Sequence, residues 1–380
     1  MFKQYSFKDY DFKLVIFVLA LNILGILAVG SANPIYQSRQ IMGSILGFFM
    51  MIVVSLFDYN VIGKFYWLWY VVDLGLLGAV ILAGSAANNA TRWFEIAGIR
   101  FQPSETAKIL LIIFFAQFIM KYRDKINTFG FIVSYIFLAG VPLYLIYEQP
   151  DLSTTIVIFV ILVAVIIVGG LSWKIMLAAG LVAIPSAIVF LSIILKEDQK
   201  LINSYQRKRV LSFFYPEKFV DDAYQQTNSV IAIGSGRLMG KGLNNNVISS
   251  LKNGNYIIEP QTDFIFAVVG EEMGFIGCMT VIILLALIVF ECILIARKTN
   301  DLSGRLIAIG MASLIGFQTF FNIGVATFLL PNTGLPLPFV SYGLTSLVSL
   351  YIGIGFVLNV RLKARDIRDR RGNFSKLEGL

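Results

Sequence analysis

The chain has 380 residues, is 57% hydrophobic with a mean hydropathy of +0.77, and carries 31 Lys and Arg against 23 Asp and Glu, a net charge of +8. Soluble domains hold about 45–50% apolar residues, and here the apolar residues come in runs near the roughly 20 that a bilayer crossing needs; an ordinary water-soluble globule is excluded in favour of an all-α, polytopic integral membrane protein. Histidine is absent and cysteine occurs twice, which removes imidazole chemistry, a disulfide scaffold and a thiolate zinc site.

The N-terminal "MFKQYSFKDYDFKLVIF" sets cations ahead of an apolar run. It shows no small-residue cleavage site, and the run is long enough to stay as a span. Ten helices are predicted near 12–32, 40–57, 65–84, 105–121, 130–147, 153–170, 174–195, 263–296, 305–330 and 339–360. The fourth and fifth are short for a crossing, and the eighth is long enough to be tilted or broken. Cys278 and Cys292 fall in that eighth helix, too far apart to bond. One long outer loop near 196–262 and a basic tail near 361–380 complete a single membrane domain over 1–380. An even number of crossings puts both ends on one side. Placing that side inside gives it 18 of the 31 Lys and Arg, seven of them in the tail. Short outer loops hold only Arg39, Arg92 and Arg100, with Lys108 just inside a helix. The bias predicts both termini in the cytoplasm. The tail reads as a topology anchor, with anionic lipid as its alternative contact.

Polar residues stand out in chain order. Asp73 sits mid-span in "WLWYVVDLGLL" and is expected to be a paired structural residue, or else a relay element. In "NNATRWFEIAGIRFQPSETAKIL" (88–110), Ser104 is the expected helix N-cap, and Glu105 and Lys108 share a helix face. The density of Arg92, Trp93, Arg100, Gln102, Glu105 and Lys108 there points beyond a structural ion pair. In "YEQPDLSTT" (147–155), Asp151 opens a helix, where a carboxylate suits the positive end of the dipole. "NSYQRKRVLSFFYPEKF" (203–219) reads as an interfacial amphipathic segment, and Arg207, Lys208 and Arg209 as either headgroup contacts or a diphosphate site. "GSGRLMGKGL" (234–243) lacks Walker spacing and reads as a lid or an ordinary loop. "EPQTDFIFAVVGEEMGFIG" (259–277) puts Asp263 at the head of a span and Glu271 and Glu272 about two turns deeper. Finally, Pro331, Pro336 and Pro338 interrupt "NIGVATFLLPNTGLPLPFVSYGLTS" (322–346). Irregular backbone there must be buried in protein or line a cavity.

Five of these segments, in this order, resemble the SEDS family (shape, elongation, division and sporulation): "RWFEIAGIRFQPSETAK", "QPDLSTT", "YQRKRVLSFFYP", "TDFIFAVVGEEMGFIG" and "LPNTGLPLPFVSYG". The resemblance covers nearly the whole chain, and the N-terminal stretch and length are more like RodA than FtsW. Two departures are visible. Ser153 stands where the family has glycine, and Gly343 is followed by Leu344, Thr345 and Ser346 instead of Gly-Ser-Ser.

The resemblance implies a peptidoglycan glycosyltransferase of the bacterial cytoplasmic membrane. It would polymerise lipid II at the outer face, release undecaprenyl diphosphate and serve cell-wall elongation and cell shape. Its partners would be lipid II and the lipid-linked glycan strand, a class B penicillin-binding protein and other elongation-complex membrane proteins; nucleic acid is not expected. The family's catalytic aspartate falls on Asp263. With no histidine present, Asp263 is the candidate base for the acceptor hydroxyl, or alternatively a ligand to a divalent ion, Mg2+ or Mn2+; no organic cofactor is implied. Lys108, Arg209 and Arg100 are expected to meet the diphosphate, and Glu105, Arg92, Trp93, Gln102, Asp151 and Ser341 to complete the site. A lipid II flippase, a division- or sporulation-type polymerase and a noncatalytic scaffold are the competing readings.

Overall fold

The computed structural model describes residues 10–87, 90–96, 99–196, 202, 204–244, 257 and 259–377. Parts of the outer loop and of the N-terminal cation run therefore lie outside the described residues.

Polar side chains cap several of the helices. α1 (Phe12–Ala32) begins where the Asp11 carboxylate accepts the Leu14 amide. One residue, Asn33, ends α1 and caps α2 (Pro34–Leu56), accepting from Ile35 N, with proline in the first turn where no amide is needed. This tight turn starts the second span six residues before the expected 40 and puts Arg39 inside a helix. Short α3 (Tyr59–Lys64) and α4 (Tyr66–Ala83) follow. Three antiparallel strands, β1 (Ser85–Ala87), β2 (Ala90–Ile96) and β3 (Ile99–Phe101), then form a small sheet in the order β1-β2-β3. The all-α expectation holds, with this small sheet joining α4 to α5.

α5 (Pro103–Lys121) starts at Pro103, so Gln102, not Ser104, holds the cap position. The Ser104 hydroxyl instead accepts the Gln102 side-chain amide at 3.0 Å. α5 and α6 (Phe129–Glu148) have 19 and 20 residues and are full crossings. Pro142 inside α6 cannot donate to the Leu138 carbonyl, and Tyr70 of α4 supplies that bond at 2.8 Å. α7 (Leu152–Gly169) is capped by Asp151, as expected, and ends on left-handed Gly170. α8 (Trp173–Ile194) buries only Ile194. Within the long loop between α8 and α11 the chain forms α9 (Ser204–Phe214) and α10 (Val220–Ser235).

α11 (Ile265–Lys298) is broken at Gly274, where φ is 64° and ψ −161°. α12 (Leu302–Ala326) and α13 (Leu344–Leu377) close the chain. The expected spans 305–330 and 339–360 therefore lose their facing ends to irregular backbone over 327–343, where three prolines withhold amides and Gly334 takes a positive φ. Among the described residues ten helices are long and apolar enough to cross a membrane.

α5 is the hub. It packs on α4, α7, α12 and α13 and is buried on nearly every side. On the chain-end side, polar contacts tie the helices. Tyr59 donates to Asp301 at 2.7 Å, Lys363 meets Asp58 at 2.7 Å, and Arg361 lies 3.7 Å from Asp11. Asp73 is 1% exposed, and neither carboxylate oxygen has a hydrogen-bond partner among the described residues. The expected pairing of Asp73 is thus not found.

Candidate active site

The face opposite those contacts gathers the polar motifs. By helix rise, Ser31 stands about 28 Å along α1 from Phe12, and Asn322 about 30 Å along α12 from Leu302. Ser31 donates to Glu272 at 2.5 Å, while Asn322 donates to the Asp263 carbonyl at 2.8 Å. Glu272 is thus tied to the end of α1 and Asp263 to the end of α12, with α11 breaking at Gly274, two residues past Glu272.

That break is filled by the glycine-rich stretch, so the lid reading of 234–243 gives way to a docked loop. Phe275 and Ile276 donate to the carbonyls of Arg237 and Leu238, while Lys241 and Gly242 donate to those of Glu271 and Glu272. Lys241 also pairs with the Glu271 carboxylate at 2.7 Å. A Cβ on Gly240 would lie 2.1 Å from the Glu272 carbonyl oxygen, so only glycine allows this approach.

Asp263 sits just before α11, part-buried. Burial pushes its carboxyl above the ordinary aspartate range; the Arg209 guanidinium pulls it back, Glu259 pushes it up, and Arg92 and Asp151 act from farther off in opposite senses. Gly334, at φ 72°, is the surface that Asp263 and Arg209 share. A Cβ there would lie 3.3 Å from Asp263 Oδ2 and 3.4 Å from Arg209 Nη1. The three-cation run of α9 divides. Arg207 turns back to the Ile194 carbonyl, Lys208 is exposed, and Arg209 faces Asp263.

Side chains from several helices hold the irregular segment. Asn322 reaches the Leu335 carbonyl, Gln318 that of Pro336, Asn22 that of Phe339 and Gln40 that of Ser341. Ser341 Oγ donates to the Thr262 carbonyl and accepts the Leu337 amide, both at 2.7 Å. It thereby ties the segment to the residue before Asp263. Backbone with no helix of its own is satisfied in this way. Asn332 Oδ1 and Thr333 Oγ1, beside Gly334, are enclosed with no hydrogen-bond partner among the described residues.

A second cluster flanks the first. Arg92 on β2 donates to the Gln149 and Pro150 carbonyls and stands 4.0 Å from Asp151, which Gln102 also approaches at 3.4 Å. Trp93 lies beside Arg92, part-buried on the same strand. Arg100 on β3 is exposed opposite Glu95 in the strand register. Glu105 and Lys108 form a buried pair at 2.7 Å. The Lys108 ammonium also donates to Gln318 Oε1 at 3.1 Å. It is enclosed, with a 1% exposed side chain, and reaches the irregular segment only through Gln318. In this arrangement Lys108 supports that segment through Gln318.

Sequence reasoning missed Gln318, Asn322, Asn332, Thr333 and Gly334 as individual residues, although the last four lie in the 322–346 motif it had singled out. Glu259, Asp263 and Asp151 bring carboxylates into one field, but no group of three His, Cys, Asp or Glu residues able to hold a metal occurs among the described residues. A divalent ion here would take Asp263 as its carboxylate and complete its shell from phosphate oxygens and water.

The FtsW/RodA/SpoVE family, described as "Cell cycle protein", matches residues 11–366. A probable peptidoglycan glycosyltransferase FtsW of Geobacter sulfurreducens is 32% identical over 368 residues, covering 91% of this chain and 93% of that one. The protein of the same name from Bacillus subtilis is 34% identical, covering 90% and 84%. A chain of a peptidoglycan synthase complex that coordinates polymerization and crosslinking superposes with a TM-score of 0.79 at 28% identity, covering 93% of this chain and 98% of that one. Rod shape determining protein RodA of Thermus thermophilus gives 0.67 at 27%, covering 93% and 96%. With the fold and nearly the whole length shared, this chain belongs to the SEDS family of FtsW, RodA and SpoVE.

Proposed function

We propose that this chain is a peptidoglycan glycosyltransferase that polymerises lipid II at the outer face of the cytoplasmic membrane. The observation that carries the reading is the Asp263–Arg209 pair facing Gly334: a carboxylate and a guanidinium brought together at one place. In the reaction, the acceptor 4-hydroxyl oxygen attacks the donor anomeric carbon with inversion. Asp263 takes the hydroxyl proton, and the bond to the diphosphate oxygen breaks with its electron pair leaving on undecaprenyl diphosphate. Arg209 stabilises that charge, and Arg92 adds to the field. A raised carboxyl suits a base. As an alternative role, Asp263 would hold a divalent ion that neutralises the diphosphate. Glycan synthesis surviving chelation would favour the base.

A class B penicillin-binding protein is the proposed partner, supported by the likeness to a chain of a peptidoglycan synthase complex. Both termini are assigned to the cytoplasm on the distribution of Lys and Arg. The elongation role expected from the N-terminus and length is not favoured by the curated relatives cited here, which carry the name FtsW. RodA is among the structural neighbours, so the reading rests on the polymerase both share. Depletion decides between the roles: rounded cells mean elongation, filaments mean division.

The deciding experiment gives labelled lipid II to purified, reconstituted protein and to Asp263→Ala. Polymer made by the first and not the second supports the proposal. Translocated monomer without polymer would establish the flippase reading, and neither product the scaffold.

A further inference from the structure

Far from Asp263, at the chain-end side, a cavity of about 500 Å3 opens between α4, α6 and the end of α5. Its floor is aromatic: Phe118 and Phe131 are buried and Tyr122 is part-buried. Trp67 of α4 forms one wall, and Phe137 the deep end of the other. The gap exists because α6 puts two small residues, Gly130 and Ser134, one turn apart on this face; a Cβ added at Gly130 would meet nothing within 4 Å. From Gly130 to Phe137 the groove runs about 10 Å along α6, down the hydrocarbon-facing surface of the bundle.

Its mouth is charged. Lys125 lines it, and Lys121 and Arg123 lie within four residues of Lys125, all exposed, with Asp124 the one acid of that turn. Lys121 donates to the Tyr66 hydroxyl at 3.3 Å and stands 5.7 Å from the Tyr66 and Tyr122 ring centres, so its charge is held over the aromatic rim. α6 begins here too, with Thr128 as its cap, and presents the positive end of a 20-residue helix. An aromatic, open-sided groove below a cationic turn matches one kind of molecule: an acyl chain carrying an anionic phosphodiester.

We infer that this groove is a specific site for an anionic phospholipid of the leaflet on the chain-end side. The acyl chain lies between α4 and α6, and the phosphate sits against Lys125 and Lys121. The site is independent of the glycosyltransferase reading and is tested without it.

Trp67 is its reporter. Of the four tryptophans, a variant keeping only Trp67 (Trp69→Phe, Trp93→Phe, Trp173→Phe) is reconstituted with lipids brominated on the acyl chain. Brominated phosphatidylglycerol is expected to quench Trp67 at about ten-fold lower mole fraction than brominated phosphatidylcholine. Adding Lys121→Glu and Lys125→Glu removes the preference but leaves quenching by phosphatidylcholine, which shows the groove still folded. A variant keeping only Trp173, 68% exposed on α8, serves as the bulk-lipid control and shows no preference. Equal quenching of Trp67 by both lipids, or a preference that survives the charge reversals, overturns the inference. So does competition by soluble glycerol phosphate as effective as the lipid, since the groove would then contribute nothing.

Discussion

The proposed reaction turns on Asp263, and Arg209 is the residue placed to tune it. Asp263→Asn keeps the shape and removes the base; polymerisation should fall about 10²–10⁴-fold in a gel assay of glycan chains. The pH dependence carries the sign of the perturbation. A base works deprotonated, and burial raises this carboxyl, so the acid limb of kcat/KM should lie above the roughly 3.9 of a free aspartate. Arg209 lowers the same group, so Arg209→Ala should move that limb to higher pH as well as slow the reaction. Asp263 was singled out by the absence of histidine and by the family motif, since an aspartate at the head of an apolar run is otherwise often a helix cap, as Asp11, Asp151 and Asp301 are. Gln318 and Asn322 were not, since an amide inside a helix carries no mark of the carbonyl it will reach. The two departures from the family pattern now have contacts. Ser153 donates to the Thr333 carbonyl at 2.6 Å, and Thr345 to that of Arg100 at 3.1 Å.

The broken helix decides what those residues can do. Asp263 faces Arg209 because α11 bends at Gly274 and the loop after α10 fills the bend. Gly240→Ala sets a Cβ against the Glu272 carbonyl at a positive φ of 79°. The backbone term alone costs about 1–2 kcal/mol, so a lower melting temperature and weaker polymerisation should appear together. Gly234→Ala, on α10 with open space around it, should leave both unchanged. In α4 the sign reverses. Asp73 has two carboxylate oxygens buried without hydrogen-bond partners among the described residues, and Asp73→Leu should stabilise the protein by about 1–3 kcal/mol, read as a raised thermal midpoint in detergent. Loss of activity with that gain would mark Asp73 as a relay. Ten spans were readable from hydropathy because length and apolarity suffice. The site of the break was not, because Gly270, Gly274 and Gly277 look alike in "GEEMGFIG" and only packing selects one. The sheet of β1–β3 escaped for a related reason: two of its strands have three residues each, too few for an alternating pattern.

At the scale of the whole molecule, the ten crossings fix which residues share a face. Lys125→Cys and Lys208→Cys should react with a membrane-impermeant maleimide from opposite sides of the bilayer, Lys208 from outside. The native Cys278 and Cys292 are buried and give a silent background; labelling of both positions from one side would refute the assigned orientation. The core itself is non-local. The irregular segment 331–343 comes just before the last crossing, yet it is gripped by Asn22 of the first helix and Gln40 of the second, 317 and 301 residues away in sequence. The helices that precede that segment cannot shape it until the ribosome has delivered it. A chain caught partway through synthesis therefore carries Asp263 without the segment that faces it, and the candidate site is complete only in a molecule whose last stretch has been made.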